Sequence, residues 1–299
     1  MKMHRSELDV DADVVRLLVE DQFPQWSGLP IVRVAPGGSV NAIFRVGDSL
    51  AARFPLQGGD PDEVRGWLIE EARAATQFAA VSPVRSPMPI ALGQAGHGYP
   101  VSWAVQDWLP GQDAIAEDPA ASAVFALELA DLLARLREVD TGGQRFSGGG
   151  RGGHLRDHDE WMDLCFAKNR GLVDVEILRG LWESLRGLPE VDQDVMCHGD
   201  LTPQNLLVDA GRLVGVLDTG GFHAADPALD LVSVWHLLDG ERRDLLQEHL
   251  GCGEVQWHRG MAWALQQAMG LVWYYAETNP TMSRWGLRTL DRLVDVSPA

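Results

Sequence analysis

The chain has 299 residues, of which 45% are hydrophobic and 23% charged, enough to bury a sizeable core in one large domain or two lobes. Its formal net charge of −18 argues against a nucleic-acid partner, because binding to a phosphate backbone depends on Lys and Arg side chains. The same charge would suit a cationic ligand, although an acidic surface also serves solubility alone.

The hydropathy pattern contains no apolar run of about 18 residues, the length of a membrane-spanning helix. The segment from Met1 to Leu18 carries charges throughout and lacks the apolar centre of a signal peptide. Three widely separated cysteines, Cys165, Cys197 and Cys252, offer neither a disulfide framework nor a CxxC metal site. We therefore expect a cytoplasmic protein without a membrane partner, either a monomer or a weak dimer.

The first third of the chain alternates strand and helix patterns. The predicted elements are two strands within 32–56 joined at Gly47–Asp48, a helix over 62–80, and strands at 88–92 and 101–109. Pro110–Gly111 then breaks the pattern and predicts a boundary between lobes.

The remainder is mainly helical. Helical patterns cover 119–139, 155–166, 173–188 and most of 228–293, with breaks at 251–253 and 279–280, and short strands fall at 195–197, 205–208 and 213–217. The glycine-rich segment 141–153 carries Arg145 and Arg151; it is typical of an RGG-type element or of a loop near the substrate, and the acidic composition favours the loop. The fold class is α+β, with a small N-terminal antiparallel-sheet lobe and a larger, mostly helical C-terminal lobe.

Three polar residues lie in and after the short strands: Asp200, Asn205 and Asp218. The protein-kinase catalytic loop has the same five-residue spacing from Asp to Asn, followed by a metal-binding Asp. Asp200 is the candidate base for a substrate hydroxyl. Asn205 and Asp218 are candidate Mg²⁺ ligands, since Mg²⁺ prefers hard oxygen donors. Each residue alone would more often cap a turn, but the three together indicate phosphoryl transfer.

His198 precedes Asp200 by two residues, so it is a candidate metal ligand or base. A zinc site of His198, Asp200 and His223 lacks a ligand pair of familiar spacing. We expect His198 to orient the loop through backbone hydrogen bonds.

The chain resembles the aminoglycoside phosphotransferase family, the antibiotic-kinase branch of the protein-kinase-like fold. The resemblance rests on the H-G-D-x-x-x-x-N run from His198 to Asn205, on Leu217–Gly220, and on the A-D-P-x-x-D-L segment at 225–231. It implies a two-lobe fold, with 1–109 as the nucleotide-binding lobe and 110–299 as the catalytic and substrate-binding lobe. It also implies Mg²⁺ and ATP or GTP as co-substrate.

The resemblance assigns further residues to the nucleotide. Arg53 stands at the position of the kinase lysine that contacts the phosphates, and its ion-pair partner would be Glu71, or Glu70 if the helix phase differs. Ser39, in the loop 36–41, would face the phosphates together with backbone N–H groups. The backbone groups of Asp107 and Leu109, at the lobe boundary, would hold the nucleobase.

Two more acidic residues have structural interpretations. Asp226 before Pro227 suits a helix N-cap, and Asp230 is similar to a buried buttress of the catalytic loop in the family. The substrate would lie against the C-terminal helical region, whose aromatic residues are mainly core candidates. The carboxylates proposed for a cationic or glycosidic ligand are Asp159, Glu160, Asp163 and Glu277.

The leading hypothesis is a kinase that transfers the γ-phosphate of a nucleoside triphosphate to a small-molecule hydroxyl, with an aminoglycoside-like antibiotic as the first acceptor. Macrolides, choline and homoserine remain alternative acceptors. A non-catalytic pseudokinase-type binding protein is a second hypothesis, and a metal-dependent hydrolase built on His198, Asp200, Asp218 and His223 is a third. Nucleotide-dependent phosphate transfer that requires Asp200 would distinguish the kinase from both.

Overall fold

The computed structural model describes residues 8–34, 40–148, 151–190 and 193–295. They form two compact units. The sheet unit comprises the described residues up to Ala80 with Arg85–Pro110 and Val216–Gly221, and the helical unit comprises Val81–Val84, Gly111–Gly215 and the described residues from Phe222 onward. The chain passes from the first unit to the second between Pro110 and Gly111, and Val216–Gly221, which carries Asp218, belongs to the sheet unit.

The sheet unit is built on five antiparallel strands in the order β1-β2-β3-β5-β4. These are β1 (Ile31–Arg33), β2 (Asn41–Val46), β3 (Leu50–Pro55), β4 (Pro89–Gly93) and β5 (Trp103–Asp107). Phe54 on the central strand β3 stacks on Trp103 with ring centroids 4.7 Å apart. Gly93 is required beside this pair, because a Cβ there would lie 2.1 Å from the Trp103 ring.

Two helices accompany the sheet, α1 (Ala12–Gln22) and α2 (Pro61–Val81). The pattern over 62–80 predicted α2, whereas α1 was missed because charged residues interrupt its apolar positions. Asp11 caps α1 by accepting two backbone N–H groups, and Val15 and Leu18 bury its inner face. Burial of that narrow stripe, rather than average hydropathy, selects the helix.

The helical unit contains seven α-helices and five short strands among its described residues. The helices are α3 (Ala123–Arg137), α4 (Asp159–Lys168), α5 (Val175–Leu185), α6 (Val232–Leu237), α7 (Gly240–Leu250), α8 (Glu254–Tyr274) and α9 (Pro280–Asp295). The strands are β6 (Gln112–Asp113), β7 (Val195–Cys197), β8 (Leu206–Asp209), β9 (Arg212–Val216) and β10 (His223–Ala225). β7 pairs with β10, and β6, β8 and β9 form a second small sheet.

Helix α8 is buried along most of its length, from Trp257 to Val272. Its neighbours include α4, α5, α6 and α9. Polar side chains on a helix buried on all sides must find partners inside the protein, because an unpaired buried polar group is costly. Accordingly, Arg259 pairs with the buried Asp226, Gln266 bonds His158, and Gln267 donates to Asp200.

The predicted fold class is confirmed, with local corrections. The helical pattern over 228–293 divides into four helices, because the chain also turns between α6 and α7. Gly251 ends α7 in the left-handed conformation at φ +63°, and α9 begins at Pro280, as the two predicted breaks indicated. No helix in the described part of the chain is both long and apolar enough to span a membrane.

Candidate active site

The loop between β7 and β8 is held by a buried carboxylate. Asp230, 3% exposed, accepts the backbone N–H of His198 at 2.7 Å and of Gly199 at 2.9 Å. Gly199 has φ +84°, a conformation that favours glycine. The predicted buttress role of Asp230 is confirmed.

Asp200 projects from this loop and accepts hydrogen bonds on both carboxylate oxygens. Oδ1 accepts Arg151 Nη2 at 2.6 Å and Gln267 Nε2 at 3.0 Å, whereas Oδ2 accepts, among the described residues, only Asn205 Nδ2, at 3.3 Å. Each carboxylate oxygen has two lone pairs. Oδ1 is therefore saturated by protein donors, and Oδ2 is the oxygen that retains capacity for a hydroxyl proton.

The Asn205 side chain is oriented by the same residue. Its Nδ2 donates to the Asp200 backbone carbonyl at 2.9 Å as well as to Oδ2. Because the amide nitrogen is used in this way, Oδ1 is the end of the amide that faces away from Asp200. An amide oxygen is a hard donor of the type that Mg²⁺ accepts.

His198 is buried, at 2% exposed, and its Nδ1 accepts the backbone N–H of Asp200 at 3.2 Å. This bond confirms the expected orienting role. Among the residues that the structure describes, no group of three or more His, Cys, Asp and Glu side chains is arranged to hold a metal ion. The three ligands of the zinc alternative, His198, Asp200 and His223, thus do not form such a group.

In the sheet unit, Arg53 lies between two carboxylates. Its Nη2 donates to Asp218 Oδ1 at 2.8 Å, and Nη1 lies 3.7 Å from Glu71 Oε2. Glu70 instead pairs with Arg73 at 2.7 Å, on the solvent side of α2. The helix phase left open by the sequence thus selects Glu71 as the partner of Arg53.

Burial shifts the pKa of Glu71, the carboxylate beside Arg53. The Glu71 and Arg53 side chains are 18% and 12% exposed. Burial raises the pKa of Glu71, Arg53 opposes that rise, and Asp218 adds to it. An additional cation or a phosphate at Arg53 would therefore alter the ionisation of Glu71 directly.

The turn that carries Asp218 packs closely on α2. Asp218 adopts φ +56°, which is uncommon for a residue other than glycine. A Cβ at Gly220 would lie 3.0 Å from Glu71 Cβ, so only glycine permits the observed approach. This contact was not predicted, although the Gly of the Leu217–Gly220 motif marked the position.

The predicted nucleobase contacts lie at the end of β5. The Asp107 carboxylate accepts the backbone N–H of Met88, and its own N–H donates to the Met88 carbonyl at 3.0 Å. A ligand contact from Asp107 would therefore use its backbone carbonyl. Leu109 is 5% exposed. Ser39 lies outside the described residues.

A cleft of about 600 Å³ in the helical unit adjoins Asp200 through Arg151, which lines the cleft and binds the carboxylate. The cleft is lined by Phe146, Gly148, Arg151, Gly153, His154, Asp157, His158, Trp161 and Gln266. Burial lowers the pKa of His158, which keeps this lining residue neutral at pH 7. The predicted loop over 141–153 thus contributes to a cleft beside the candidate base.

Two of the four carboxylates suggested by the sequence for a cationic ligand are paired with other residues. Asp159 accepts hydrogen bonds from Trp182 and Arg186, and Asp163 pairs with Arg179. Asp157 is instead the carboxylate that lines the cleft. The C-terminal aromatic residues are mainly core, as expected: Trp235, Trp257, Trp263 and Trp285 are buried.

Arg151 and Gln267 are the contacts of Asp200 that the sequence did not reveal. They lie 49 and 67 residues from it along the chain, so no local spacing joins them to the motif. The one available signal was a pair of glutamines in the otherwise apolar pattern of α8, because such residues must be satisfied internally.

Two features together define a kinase-like phosphotransferase. One is a five-stranded antiparallel unit with an Arg–Glu pair, and the other is a helical unit whose short strands flank an H-G-D-x-x-x-x-N loop. The chain belongs to the phosphotransferase enzyme family (APH), whose model matches residues 31–265. It is 30% identical over 227 residues to an aminoglycoside 3'-phosphotransferase of Streptomyces fradiae, and the match covers 62% of this chain and 75% of that protein.

Solved structures show the same fold at lower identity. The GDP complex of aminoglycoside 2'-phosphotransferase-IIIa aligns with a TM-score of 0.70 at 16% identity, over 96% of this chain and 99% of that chain. The apoenzyme of macrolide 2'-phosphotransferase MphH from Brachybacterium faecium aligns with a TM-score of 0.57 at 20% identity, over 94% of this chain and 98% of that chain.

Proposed function

We propose that the protein is a small-molecule O-phosphotransferase in which Asp200 accepts the proton of the acceptor hydroxyl. The observation that carries this proposal is the asymmetric carboxylate: among the described residues, two donors occupy Oδ1 and a single donor occupies Oδ2. A carboxylate fixed in this way can align a hydroxyl for attack without itself reorienting.

The donor is a nucleoside triphosphate, ATP or GTP, whose γ-phosphate is transferred. Arg53 supplies the positive charge for the phosphates, and Glu71 holds the guanidinium by charge attraction. Asp107 and Leu109 are the proposed nucleobase contacts; Ser39, the expected phosphate contact, lies outside the described residues. The GDP complex of aminoglycoside 2'-phosphotransferase-IIIa, a structural neighbour, supports a nucleotide of this class.

Asn205 and Asp218 are the proposed Mg²⁺ ligands, and the chemistry of this donor set fits the ion. Asn205 presents an amide oxygen because its NH₂ is bonded to Asp200, and the Asp218 carboxylate is about half exposed. Mg²⁺ in phosphoryl-transfer sites takes few protein ligands and completes its shell with phosphate and water. When bound, the ion neutralises charge on the transferred phosphoryl group.

An aminoglycoside-like antibiotic is the first candidate acceptor, supported by the names of the relatives. The cleft lining favours a second candidate, an acceptor with few amines and a larger apolar surface, of the macrolide type. Phe146 and Trp161 supply aromatic walls, and Asp157 is the one carboxylate among the lining residues that the structure describes. A polycation would gain little from such a lining, whereas a largely apolar glycoside with one amine would suit it.

The test is nucleotide-dependent phosphorylation of a panel of aminoglycosides, macrolides and small amino alcohols, followed by mass spectrometry and by kcat/KM. Asp200→Asn should reduce kcat by about 10²- to 10⁴-fold, the usual contribution of a general base. Asp209→Asn, on the exposed end of β8, is the matched control and should retain full activity. Binding of Mg²⁺-nucleotide without phosphorylation of any acceptor would favour the pseudokinase alternative instead.

A further inference from the structure

A chain of hydrogen bonds runs from the Asp200 carboxylate into the interior of the helical unit. Gln267 Nε2 donates to Asp200 Oδ1 at 3.0 Å, His236 Nε2 lies 2.9 Å from Gln267 Oε1, and Thr289 Oγ1 lies 2.7 Å from His236 Nδ1. His236 and Thr289 are fully buried, and Gln267 is 9% exposed. We call Gln267, His236 and Thr289 the relay; α8, α6 and α9 contribute one residue each.

The inventory of donors and acceptors fixes the direction of every bond in the relay. An ionised carboxylate only accepts, so the Gln267 nitrogen faces Asp200 and its oxygen faces His236. His236 must then carry its proton on Nε2, which leaves Nδ1 to accept the Thr289 hydroxyl. All three donors point toward Asp200.

The surroundings support this single arrangement. Burial lowers the pKa of His236 to about 4, so the ring carries one proton at neutral pH, as the relay requires. Thr289 Oγ1 also lies 3.1 Å from the Trp285 carbonyl, but His236 Nδ1 is nearer. A reversed Gln267 amide would place its oxygen against the Asp200 carboxylate oxygen, so that two acceptors face each other with no proton between them.

We propose that Gln267 is a positioning residue for Asp200, and that His236 and Thr289 hold its amide in the orientation that donates to the carboxylate. This inference rests on the proposed function. With Arg151, Gln267 occupies Oδ1 and so leaves Oδ2 for the acceptor hydroxyl. Without Gln267, Asp200 could rotate and distribute its oxygens differently.

The adjacent glutamines of α8 offer a matched pair of variants. Gln267→Met keeps the side-chain length but removes the amide, and should lower kcat by about 10- to 100-fold with the acceptor KM changed less than about threefold. Gln266 lines the cleft and bonds His158 at 3.3 Å. Gln266→Met should therefore raise the acceptor KM and affect kcat less.

Thr289 tests the far end of the relay. Thr289→Val retains the shape but removes the hydroxyl, so Nδ1 loses its donor and the tautomer of His236 is no longer fixed; kcat should fall by about tenfold. Thr289→Ser restores the hydroxyl and should return kcat to within about twofold of wild type. Equal activity of the Val and Ser variants would overturn the role of the relay.

A double-variant cycle separates positioning from stability. If Gln267 acts through Asp200, adding Gln267→Met to Asp200→Asn causes no further loss of kcat. A full additional 10- to 100-fold loss would overturn the proposal. Titration calorimetry with Mg²⁺-nucleotide should give wild-type stoichiometry for Gln267→Met, which excludes a smaller folded fraction as the cause.

A readout that does not depend on activity completes the test. Nitrogen NMR of the wild-type protein should show His236 protonated on Nε2 and unprotonated on Nδ1 at neutral pH. The opposite tautomer would overturn the relay even if the enzyme is active. Failure of wild type to phosphorylate any acceptor would reject the proposed function, whereas an active wild type with an unaffected Gln267→Met variant would reject only the positioning role.

Discussion

A methyl group added at Gly220 tests how the turn carrying Asp218 is held against α2. It would lie 3.0 Å from Glu71 Cβ, 3.1 Å from Cγ and 3.4 Å from Cα. The φ of Gly220 lies outside the left-handed region, so alanine fits the backbone and only the contact opposes it. Favourable carbon contacts lie near 3.5–4.0 Å, so the turn and the helix must separate by roughly 0.5 Å.

The displacement acts on Arg53 through both of its partners. The 2.8 Å bond from Arg53 Nη2 to Asp218 would lengthen toward the limit of hydrogen bonding near 3.2 Å. We expect Gly220→Ala to lower the free energy of unfolding by about 1–3 kcal/mol, the usual cost of overpacking. Since a 1 Å misplacement can cost about 10²-fold in rate, half that distance predicts roughly a tenfold loss of kcat/KM for the nucleotide.

Urea unfolding and steady-state kinetics with varied nucleotide measure both effects. Gly66→Ala is the control, because Gly66 lies on the same helix as Glu71 with nothing within 4 Å of its added Cβ. That variant should be more stable than wild type by about 0.5–1 kcal/mol and kinetically unchanged. If Gly220→Ala matched Gly66→Ala in stability and in kcat/KM, the contact would not constrain Asp218 and the reasoning would be refuted.

Three further predictions concern the helical unit. Gly270→Ala places a Cβ 2.9 Å from the Trp161 ring, which lines the cleft. The acceptor KM should therefore change by roughly 2- to 10-fold, while the nucleotide KM stays the same. An acceptor KM equal to that of wild type would argue against this cleft as the acceptor site. Arg259→Met leaves the Asp226 carboxylate, 2% exposed, without its cation and should cost about 3–5 kcal/mol in urea unfolding; a loss below about 1 kcal/mol would show that the pair is not buried in solution. The pKa of His236 is lowered from 6.5 to about 4, so the unfolded chain takes up the proton first as pH falls, and stability present above pH 6.5 is lost toward pH 4. Between pH 8 and pH 5, His236 should lower the free energy of unfolding of the wild type by about 2 kcal/mol. His236→Gln should lack this loss when both proteins are unfolded at each pH.

The parts of the fold that were predictable depend on local patterns. Alternating apolar residues and Gly or Pro breaks located four of the five strands of the sheet unit, β2 to β5, because one face of each strand is buried. The five-residue spacing from Asp200 to Asn205 indicated the loop, and Asp230 was expected beneath it. Strands β6 (Gln112–Asp113) and β10 (His223–Ala225) were missed because neither contains a residue type that favours strands, unlike the three-residue β7.

Contacts that depend on tertiary structure could not be read from the chain. Neither the spacing nor the composition indicates that Arg151 or Gln267 bonds Asp200, since each comes from a different element. The choice between Glu70 and Glu71 had the same origin: adjacent residues on a helix differ by about 100° in direction, and only packing of α2 on its neighbours fixes which one faces inward. Sequence reasoning therefore named the candidate base and metal ligands but not the residues that contact the base.

On the proposed function, helix α8 separates orientation of the candidate base from recognition of the acceptor. Arg259, Trp263, Gln266 and Gly270 follow one another at spacings of four, three and four, so they share one face of the helix. That face braces Asp226 and borders the cleft at His158 and Trp161. Gln267 lies one position further around and faces Asp200 instead. A change at Gly270 can therefore reshape the cleft while the donor to the base stays in place, which would allow new acceptors without rebuilding the base.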